Sequence, residues 1–187
     1  MVVRFFYCSI FLATTISFFA SAETMLVDDF SKNPESRWQY VSDQVMGGIS
    51  EGMVTYNNQA DQAGQAYAVL EGQVSTENNG GFIQIRSDVE RQAVEAAQGV
   101  FIRAKGNNQR YYIHIRTSGT VLPWQYYQAS FDVTETWQEF KLPLESFAPS
   151  GNWLRKVIKP RSIRSIGIVA FGRDHQASVE IAEIGFF

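Results

Sequence analysis

Short runs of β-branched and aromatic residues follow one another along nearly the whole chain, with glycine, asparagine and aspartate between them. Such runs favour extended backbone and such separators favour tight turns. The combination is typical of an antiparallel β-sandwich. We therefore expect an all-β fold with at most one or two short helices, for which 89–98 is the candidate segment. The predicted strands are 25–30, 38–42, 49–56, 66–74, 81–86, 100–105, 110–117, 124–133, 137–142, 163–171 and 178–187.

Two prolines interrupt this pattern in the last third of the chain. Pro143 and Pro149 disfavour the continuation of a strand, because proline has no backbone N–H to donate. We expect the chain to leave one sheet here and to cross to the other.

The first 22 residues have the pattern of a secretory signal peptide. Arg4 gives a positive start, 5–19 is largely apolar, and Ala20-Ser21-Ala22 forms a small-residue cleavage site. The apolar stretch is shorter than the roughly 20 residues that a membrane-spanning helix needs, so a retained anchor is the less favoured alternative. Residues 23–187 are expected to form a single domain, exported to the periplasm or the extracellular space.

Composition argues against several kinds of chemistry. The only cysteine, Cys8, lies in the predicted leader, and the loss of Arg4 with that leader changes the formal net charge from −3 to −4. The remaining Lys and Arg residues are scattered, unlike the clustered basic face of a nucleic-acid-binding protein. His114 and His175 have no cysteine near them, which argues against a structural zinc site. We expect no cofactor and no nucleic-acid partner.

The carboxylates are scattered over predicted turns rather than paired. Glycoside hydrolysis needs two carboxylates on opposite sides of the scissile bond, and Asp43, Glu51 and Asp88 are the ones considered for it. Asp28-Asp29 and Glu183, at strand ends, fall short of the roughly six to eight oxygens that Ca²⁺ requires. We predict neither a catalytic residue nor a metal site, and a carbohydrate-active enzyme is the weakest of the functions considered.

Two glycine pairs, each close to an aromatic residue, indicate shaped loops that lead into strands. As a binding site they would form the rim of the sandwich, with Trp38 and Met46 as an apolar wall. As structure alone, Trp38 would pack in the core, Met46 would fill a gap and the glycines would permit the turns, and this interpretation is favoured. The two loops are also expected to meet in space. The candidate rim residues are Trp38, Asp43, Met46, Gly47, Gly48, Ser50, Asn78, Asn79, Gly80 and Gly81.

Alternation within each strand predicts which side chains face outward, since successive residues point to opposite sides of a sheet. In 110–117 it assigns Tyr111, Ile113 and Ile115 to the core and Tyr112, His114 and Arg116 to the outer face. If the strands concerned are neighbours, their outward side chains form one polar, aromatic and basic face. Such a face suits a sugar or a carboxylated ligand, although an ordinary solvated sheet face is the favoured interpretation. The candidate face residues are Gln84, Arg86, Arg103, Tyr112, His114, Arg116, Trp124, Tyr126 and Gln128.

Four motifs in the same order carry a resemblance to a known family. They are Trp38 with 42–50, the block 77–82 with Arg86 beyond it, the strand 126–131, and Trp137 with 142–144 and 147–150. On these motifs the chain resembles the complex I intermediate-associated protein 30 family. The resemblance implies a galactose-binding-like jelly-roll sandwich and, for the mitochondrial members, a chaperone role in complex I assembly. It implies no catalytic residue.

The leading functional hypothesis is an exported, non-enzymatic domain that binds a partner protein or a carbohydrate-like ligand through its rim loops or its polar sheet face. The alternative, implied by the resemblance, is an assembly chaperone of a respiratory-type membrane complex. The predicted leader conflicts with the matrix location of the mitochondrial members, so the partners of this chain are expected to differ from theirs.

Overall fold

The computed structural model describes residues 24–57 and 64–187, and regular structure in these ranges is almost entirely β. The predicted signal peptide falls outside the described residues. The strands are β1 (Met25–Asp28), β2 (Gln39–Ser42), β3 (Glu51–Asn57), β4 (Tyr67–Val74), β5 (Phe82–Asp88), β6 (Gly99–Gly106), β7 (Arg110–Thr117), β8 (Tyr127–Asp132), β9 (Gln138–Pro143), β10 (Ala148–Pro149), β11 (Ile163–Phe171) and β12 (His175–Phe186).

The strands form two sheets in which every pairing is antiparallel. The first sheet has the order β3-β4-β12-β6-β9, with β1 pairing the end of β12 beyond β4. The second has the order β10-β8-β7-β11-β5-β2. The two sheets confirm the predicted all-β antiparallel sandwich. The expected crossing is also confirmed, because β9 ends at Pro143 in the first sheet and β10 begins at Ala148 in the second.

Helical structure in the described ranges is limited to short 3₁₀ turns. Only the turn Arg91–Val94 forms in the segment that was the candidate for a helix. None of the helical segments described is long and apolar enough to cross a membrane. The turns are Pro34–Ser36, Asp43–Met46, Glu77–Asn79, Arg91–Val94, Leu144–Ser146 and Pro160–Ser162.

The core lies between the sheets and is built from the side chains that alternation predicted to face inward. Ile113 and Ile115 of β7 are fully buried, as is Ile168 of the neighbouring β11. They belong to one cluster with Leu70 and Ile181 of the first sheet. Since the inward faces are fixed in this way, the opposite faces of β5, β7 and β11 form the outer surface of the second sheet.

Strand β8 begins three residues later than predicted. The side chain of Gln125 accepts hydrogen bonds from the backbone N–H groups of Val121 (2.8 Å) and Leu122 (3.0 Å), and the Gln125 N–H donates to the Leu122 carbonyl. These contacts fold the chain into a turn. Trp124 therefore lies in the loop before β8, where 63% of its surface is exposed.

The expectation that β6 lies beside β5, β7 and β8 was wrong. Strand β6 pairs with β12 and β9 in the first sheet. Arg103 therefore lies on the opposite side of the sandwich, where it is 3.9 Å from Glu183 and 5.8 Å from the Trp137 ring. Strand order depends on contacts between distant parts of the chain, and the alternation within one strand carries no information about it.

Trp38 also lies away from the rim, because its side chain is only 3% exposed and belongs to the core. Its ring is 5.4 Å from that of Phe30, and its Nε1–H donates to Asp28 Oδ2 at 2.7 Å. The other oxygen of Asp28 accepts hydrogen bonds from Arg37 (2.6 Å) and from the Phe30 N–H (2.8 Å). Asp28 stands at the end of β1, as expected, but it is buried and not solvated, and it anchors the segment after that strand.

Replacing Trp38 by Phe should lower the free energy of unfolding by about 1–3 kcal/mol, because Asp28 loses one donor inside the protein. Urea denaturation followed by circular dichroism measures the change. Trp153→Phe is the matched control, since Trp153 is 95% exposed, and should stay within about 0.5 kcal/mol of the parent. Equal effects of the two substitutions would contradict a structural role for the indole N–H.

Candidate binding cleft

One transverse row of residues crosses the outer face of the second sheet. Gln128 of β8 lies opposite His114 of β7, which lies opposite Gly167 of β11, and the row continues through Arg86 to Gln39 of β2. Gly167 stands at the centre of this row. Because it has no side chain, the sheet surface is low at this point.

The row lies at the bottom of a cleft of about 630 Å³. Val45 and Met46, from the loop after β2, border it on one side, and Pro123 and Trp124, from the loop before β8, border it on the other. Met46 is 55% exposed, so this border is apolar and open to solvent. The full lining is Val41, Val45, Met46, Asn79, Gly80, Phe82, Gln84, Arg86, His114, Arg116, Pro123, Trp124, Tyr126, Ser165, Gly167 and Phe171.

Aromatic rings pack together on this face. The rings of His114 and Tyr126 are stacked, with centroids 4.0 Å apart and planes 11° from parallel. The edge-to-face neighbour of both is Phe171, at 5.6 Å from His114 and 6.3 Å from Tyr126. Tyr112 contacts Phe171 at 5.7 Å. The cluster gives the cleft a rigid aromatic surface, since edge-to-face and stacked pairs stabilise one another.

His114 supports this surface as a neutral ring. It is buried, and burial lowers its pKa to about 3, although the side chain of Gln128 opposes the shift. Its Nε2 and the Oε1 of Gln128 are both buried without a hydrogen-bond partner in the described structure. A group of this kind destabilises the folded state when it takes up a proton, because a buried charge is unfavourable.

Asp43 joins the two glycine-pair loops, as expected. Its Oδ1 accepts a hydrogen bond from the Ser50 N–H (2.9 Å), and its Oδ2 accepts from Ser50 Oγ (2.5 Å), Gly81 N–H (2.5 Å) and Phe82 N–H (3.2 Å). Burial raises the pKa of Asp43, but the hydrogen bonds from Gly81 and Ser50 outweigh it and the net pKa is lowered. Gly80 is required here, because a Cβ at this position would overlap the Asp43 carboxylate.

Apart from Trp38, the candidate rim residues thus divide into three groups. Met46, Asn79 and Gly80 line the cleft, whereas Asp43 and Ser50 lie buried beneath it. The remaining members shape the backbone: Gly47, Gly81 and Asn78 have positive φ angles of 91°, 124° and 55°, and a Cβ on Gly48 would meet the Asp43 side chain.

The candidate face residues divide in the same way. Gln84, Arg86, His114, Arg116, Trp124 and Tyr126 all line the cleft. Tyr112 stands beside it against Phe171, and Gln128 lies next to His114 in the transverse row. Arg103, on the other sheet, is the one member that the fold separates from the rest.

Ser150 holds the Trp124 side of the cleft in place. Its Oγ donates to the Trp124 carbonyl (2.9 Å) and accepts from the Tyr126 N–H (3.0 Å). Its own N–H donates to the Tyr126 carbonyl (2.9 Å). The short strand β10 brings Ser150 to this position. The sequence motif that ends at Ser150 therefore holds Trp124 and Tyr126, the aromatic wall of the cleft, in place.

Sequence reasoning missed Gly167 and Phe171 as residues of the cleft. Alternation along β11 places Ser165, Gly167, Val169 and Phe171 on one face, and this was readable from the sequence. What was missing was the position of β11 between β7 and β5. A glycine in the interior of a strand, which often marks a close approach or an open surface, was the available indication.

In the described residues, no group of three or more His, Cys, Asp and Glu side chains is placed to hold a metal ion. The acids weighed for calcium have other contacts. Asp29 accepts hydrogen bonds from Ser31 (3.0 and 2.6 Å), and Glu183 accepts one from Gln65 (2.8 Å).

Replacing Asp43 by Asn should lower the free energy of unfolding at neutral pH by about 1–3 kcal/mol, because an amide cannot accept all of these hydrogen bonds. The folded-state pKa of Asp43 lies below the ordinary value of 3.8, so the stabilisation by Asp43 is present above that pH and is lost as the pH falls through the folded pKa. Denaturation curves at neutral and acidic pH measure both effects. The control, Asp132→Asn, removes an exposed pair with Arg110 and should cost at most about 1 kcal/mol.

The lowered pKa of His114 predicts a second pH dependence. In the unfolded chain His114 takes up a proton below its ordinary pKa of 6.5, whereas in the fold it does so only near 3. Stability should therefore fall by about 1.5 kcal/mol as the pH is lowered from about 6.5 to about 5. In His114→Phe this part of the slope should vanish. His175→Asn, which changes a half-buried histidine, should reduce it less, and an unchanged slope in His114→Phe would contradict the prediction.

Comparison with known proteins agrees with the architecture. No curated protein matches the chain. Among solved structures, the family 11 carbohydrate-binding module of the cellulosomal cellulase Lic26A-Cel5E of Clostridium thermocellum is similar, with a TM-score of 0.70, 12% identity, and coverage of 90% of this chain and 96% of that one. The family 11 module from the same organism in complex with a β-1,3-1,4-mixed-linked tetrasaccharide is similar too. Its TM-score is 0.69 and its identity 13%, and the match covers 89% of this chain and 97% of that one.

A family 30 carbohydrate-binding module is similar as well, with a TM-score of 0.55, 13% identity and coverage of 79% of this chain and 80% of that one. At these identities the similarity shows a shared β-sandwich fold. The sequence model of the family described as complex I intermediate-associated protein 30 (CIA30) matches residues 28–181. That range includes all four motifs and every strand except most of β1 and the end of β12, and the chain therefore belongs to the complex I intermediate-associated protein 30 family.

Proposed function

We propose that this chain is a non-enzymatic binding domain whose cleft, on the outer face of the second sheet, holds a carbohydrate-like ligand. The observation that carries the proposal is the composition of the cleft. Aromatic rings of Tyr126, Phe171 and Trp124 lie beside the amide of Gln84 and the guanidinium groups of Arg86 and Arg116. Sugar rings have apolar faces that stack on aromatic rings and hydroxyl groups that need directed hydrogen bonds.

The size and stiffness of the cleft support the same conclusion. Its volume of about 630 Å³ is in the ordinary range of ligand sites. The wall that carries Trp124 is held by Ser150 and Gln125 through backbone hydrogen bonds. A site that is ordered before binding loses little conformational freedom when a ligand arrives.

The similar family 11 module bound to a tetrasaccharide makes a saccharide the first ligand class to test. That similarity concerns the fold, and the residues of the cleft named here belong to this chain. The saccharide proposal therefore depends on the cleft itself.

The lack of a carboxylate in the cleft supports a binding role over catalysis. No Asp or Glu is among the described residues that line it, and glycoside hydrolysis ordinarily requires two. Of the acids considered for this chemistry, Asp43 is buried with its oxygens engaged in hydrogen bonds. Asp88 borders a different cavity, near Gln39 and Glu90.

A partner protein is the second candidate, and one observation favours it. Apolar side chains are exposed on both sides of the cleft: Val45, Met46, Ile49, Val121 and Leu122. Exposed apolar patches of this kind often mark protein interfaces. The family description names a complex I intermediate-associated protein, which makes a membrane complex the partner class to test. We retain export by the predicted leader as part of the proposal.

Replacing Trp124 by Ala should weaken saccharide binding by about fivefold or more, because an aromatic contact worth about 1 kcal/mol is lost. The protein used is the chain from Glu23 onward, screened by thermal shift against neutral, acidic and sulfated oligosaccharides and then titrated by calorimetry. Trp153→Ala is the matched control, since Trp153 is exposed outside the cleft, and should bind like the parent. If no saccharide raises the melting temperature and the protein co-purifies with a membrane complex, the second candidate replaces the first.

A further inference from the structure

Arg86 and Arg116 stand on the same face of the second sheet with one strand between them. Arg86 of β5 pairs with Gly167 of β11, and Arg116 of β7 pairs with Ser165 of β11. Both arginines line the cleft. The residues between them, Ser165 and Gly167, are small, so both long side chains have room above β11.

Neither of these arginines forms an ion pair within the described ranges 24–57 and 64–187. Arg86 has a single long contact of 3.5 Å with the Gln39 amide. Six of the thirteen other Lys and Arg side chains in the same ranges do have carboxylate partners. These pairs are Arg37 with Asp28, Arg103 with Glu183, Lys105 with Glu180, Arg110 with Asp132, Lys141 with Glu139, and Arg161 with Glu95.

Arg116 is held in place by neutral groups. Its Nη2 donates to the backbone carbonyls of Leu122 (3.0 Å) and Thr120 (3.4 Å). Both acceptors belong to the loop that carries Trp124. The guanidinium is therefore fixed beside the aromatic wall while its charge stays uncompensated.

The surroundings of the two arginines leave this positive charge without an internal counterion. Burial lowers the pKa of Arg116, and the positive charge of Arg86 lowers it further. Asp88 lies across β11 from Arg116, since both pair with Ser165, but within the described residues it forms no ion pair with either arginine. The chain as a whole is acidic, with a formal net charge of −3, so the cleft differs in charge from the rest of the molecule.

We propose that the cleft takes an acidic saccharide, and that the carboxylate or sulfate group on its sugar ring binds between Arg86 and Arg116 while the ring lies against Tyr126 and Trp124. This inference rests on the proposed saccharide-binding function and specifies the ligand class. The planar guanidinium suits such a group, since it offers two parallel N–H donors to two oxygens. Binding of an anion also removes the repulsion between the two arginines.

Matched ligands test the proposal directly. Tetrasaccharides of glucuronic, galacturonic and mannuronic acid are each titrated against their own methyl esters, which keep the ring and remove the charge. Sulfated neutral tetrasaccharides are compared with their unsulfated parents, so that the two sources of the anionic group are distinguished. At least one anionic member should bind about tenfold or more tightly than its neutral counterpart, and its affinity should fall as salt is added.

Matched variants locate the effect. Arg86→Gln and Arg116→Gln should each weaken binding of the anionic ligand by about tenfold. Binding of the neutral counterpart should weaken by a smaller factor, so that each variant reduces the preference for the anionic ligand. Arg116→Lys keeps the charge but loses the forked geometry, and should fall between the parent and Arg116→Gln. Arg155→Gln, at an exposed position outside the cleft, makes the same change in net charge and should leave the affinity unaltered.

Three results would overturn the proposal in distinguishable ways. Equal binding of charged and neutral members, with Trp124→Ala still weakening both, would refute the acidic ligand and leave the saccharide function standing. If Arg86→Gln and Arg116→Gln weaken binding no more than Arg155→Gln does, Arg86 and Arg116 do not bind the ligand. Binding of no saccharide at all would refute both proposals. If an arginine variant does not fold, the comparison of ligands on the parent protein still decides.

Discussion

The buried carboxylate of Asp43 is the interaction on which the arrangement of the cleft depends. Its hydrogen bonds from Ser50, Gly81 and Phe82 join the chain after β2 to the start of β5. Asp43 lies at the start of the turn that carries Val45 and Met46 to the cleft, and its partners lie at the base of the turn that carries Asn79 and Gly80. One buried side chain therefore sets the position of a whole side of the site. One glycine of each pair, Gly48 and Gly80, is explained by the close approach of its backbone to this carboxylate, and the other, Gly47 and Gly81, by a positive φ angle.

The opposite side of the cleft is fixed by neutral hydrogen bonds instead. Ser150 and Gln125 bind the backbone around Trp124, and the carbonyl groups of the same loop bind Arg116. The ring of Trp124 and the guanidinium group of Arg116 are therefore held by the same loop. Such coupling makes the distance between a stacking surface and a charged group a fixed property of the protein, and a fixed distance is a basis for selecting one ligand shape over another.

Local patterns in the sequence predicted what depends on near neighbours. Alternation assigned Ile113 and Ile115 to the core and His114 and Arg116 to the outer face, and the glycine pairs indicated the two loops that meet. Alternation failed for Arg103 because the order of strands is decided by packing between distant segments. It also gave no sign that Trp38, beside a glycine-rich loop, would pair with Asp28, since that hydrogen bond spans a turn whose path the sequence does not state.

The order of the strands also bears on when this chain can fold. The two last strands, β11 and β12, occupy interior positions of the second and first sheets, and β12 pairs with β1, β4 and β6. The second sheet cannot be completed before β11 has been synthesised, nor the first before β12, and long-range pairing of this kind is slow. Strands that are neighbours in the sequence, such as β3 and β4 or β7 and β8, pair with each other without either of them. The floor of the cleft is therefore completed only when β11 has inserted between β7 and β5.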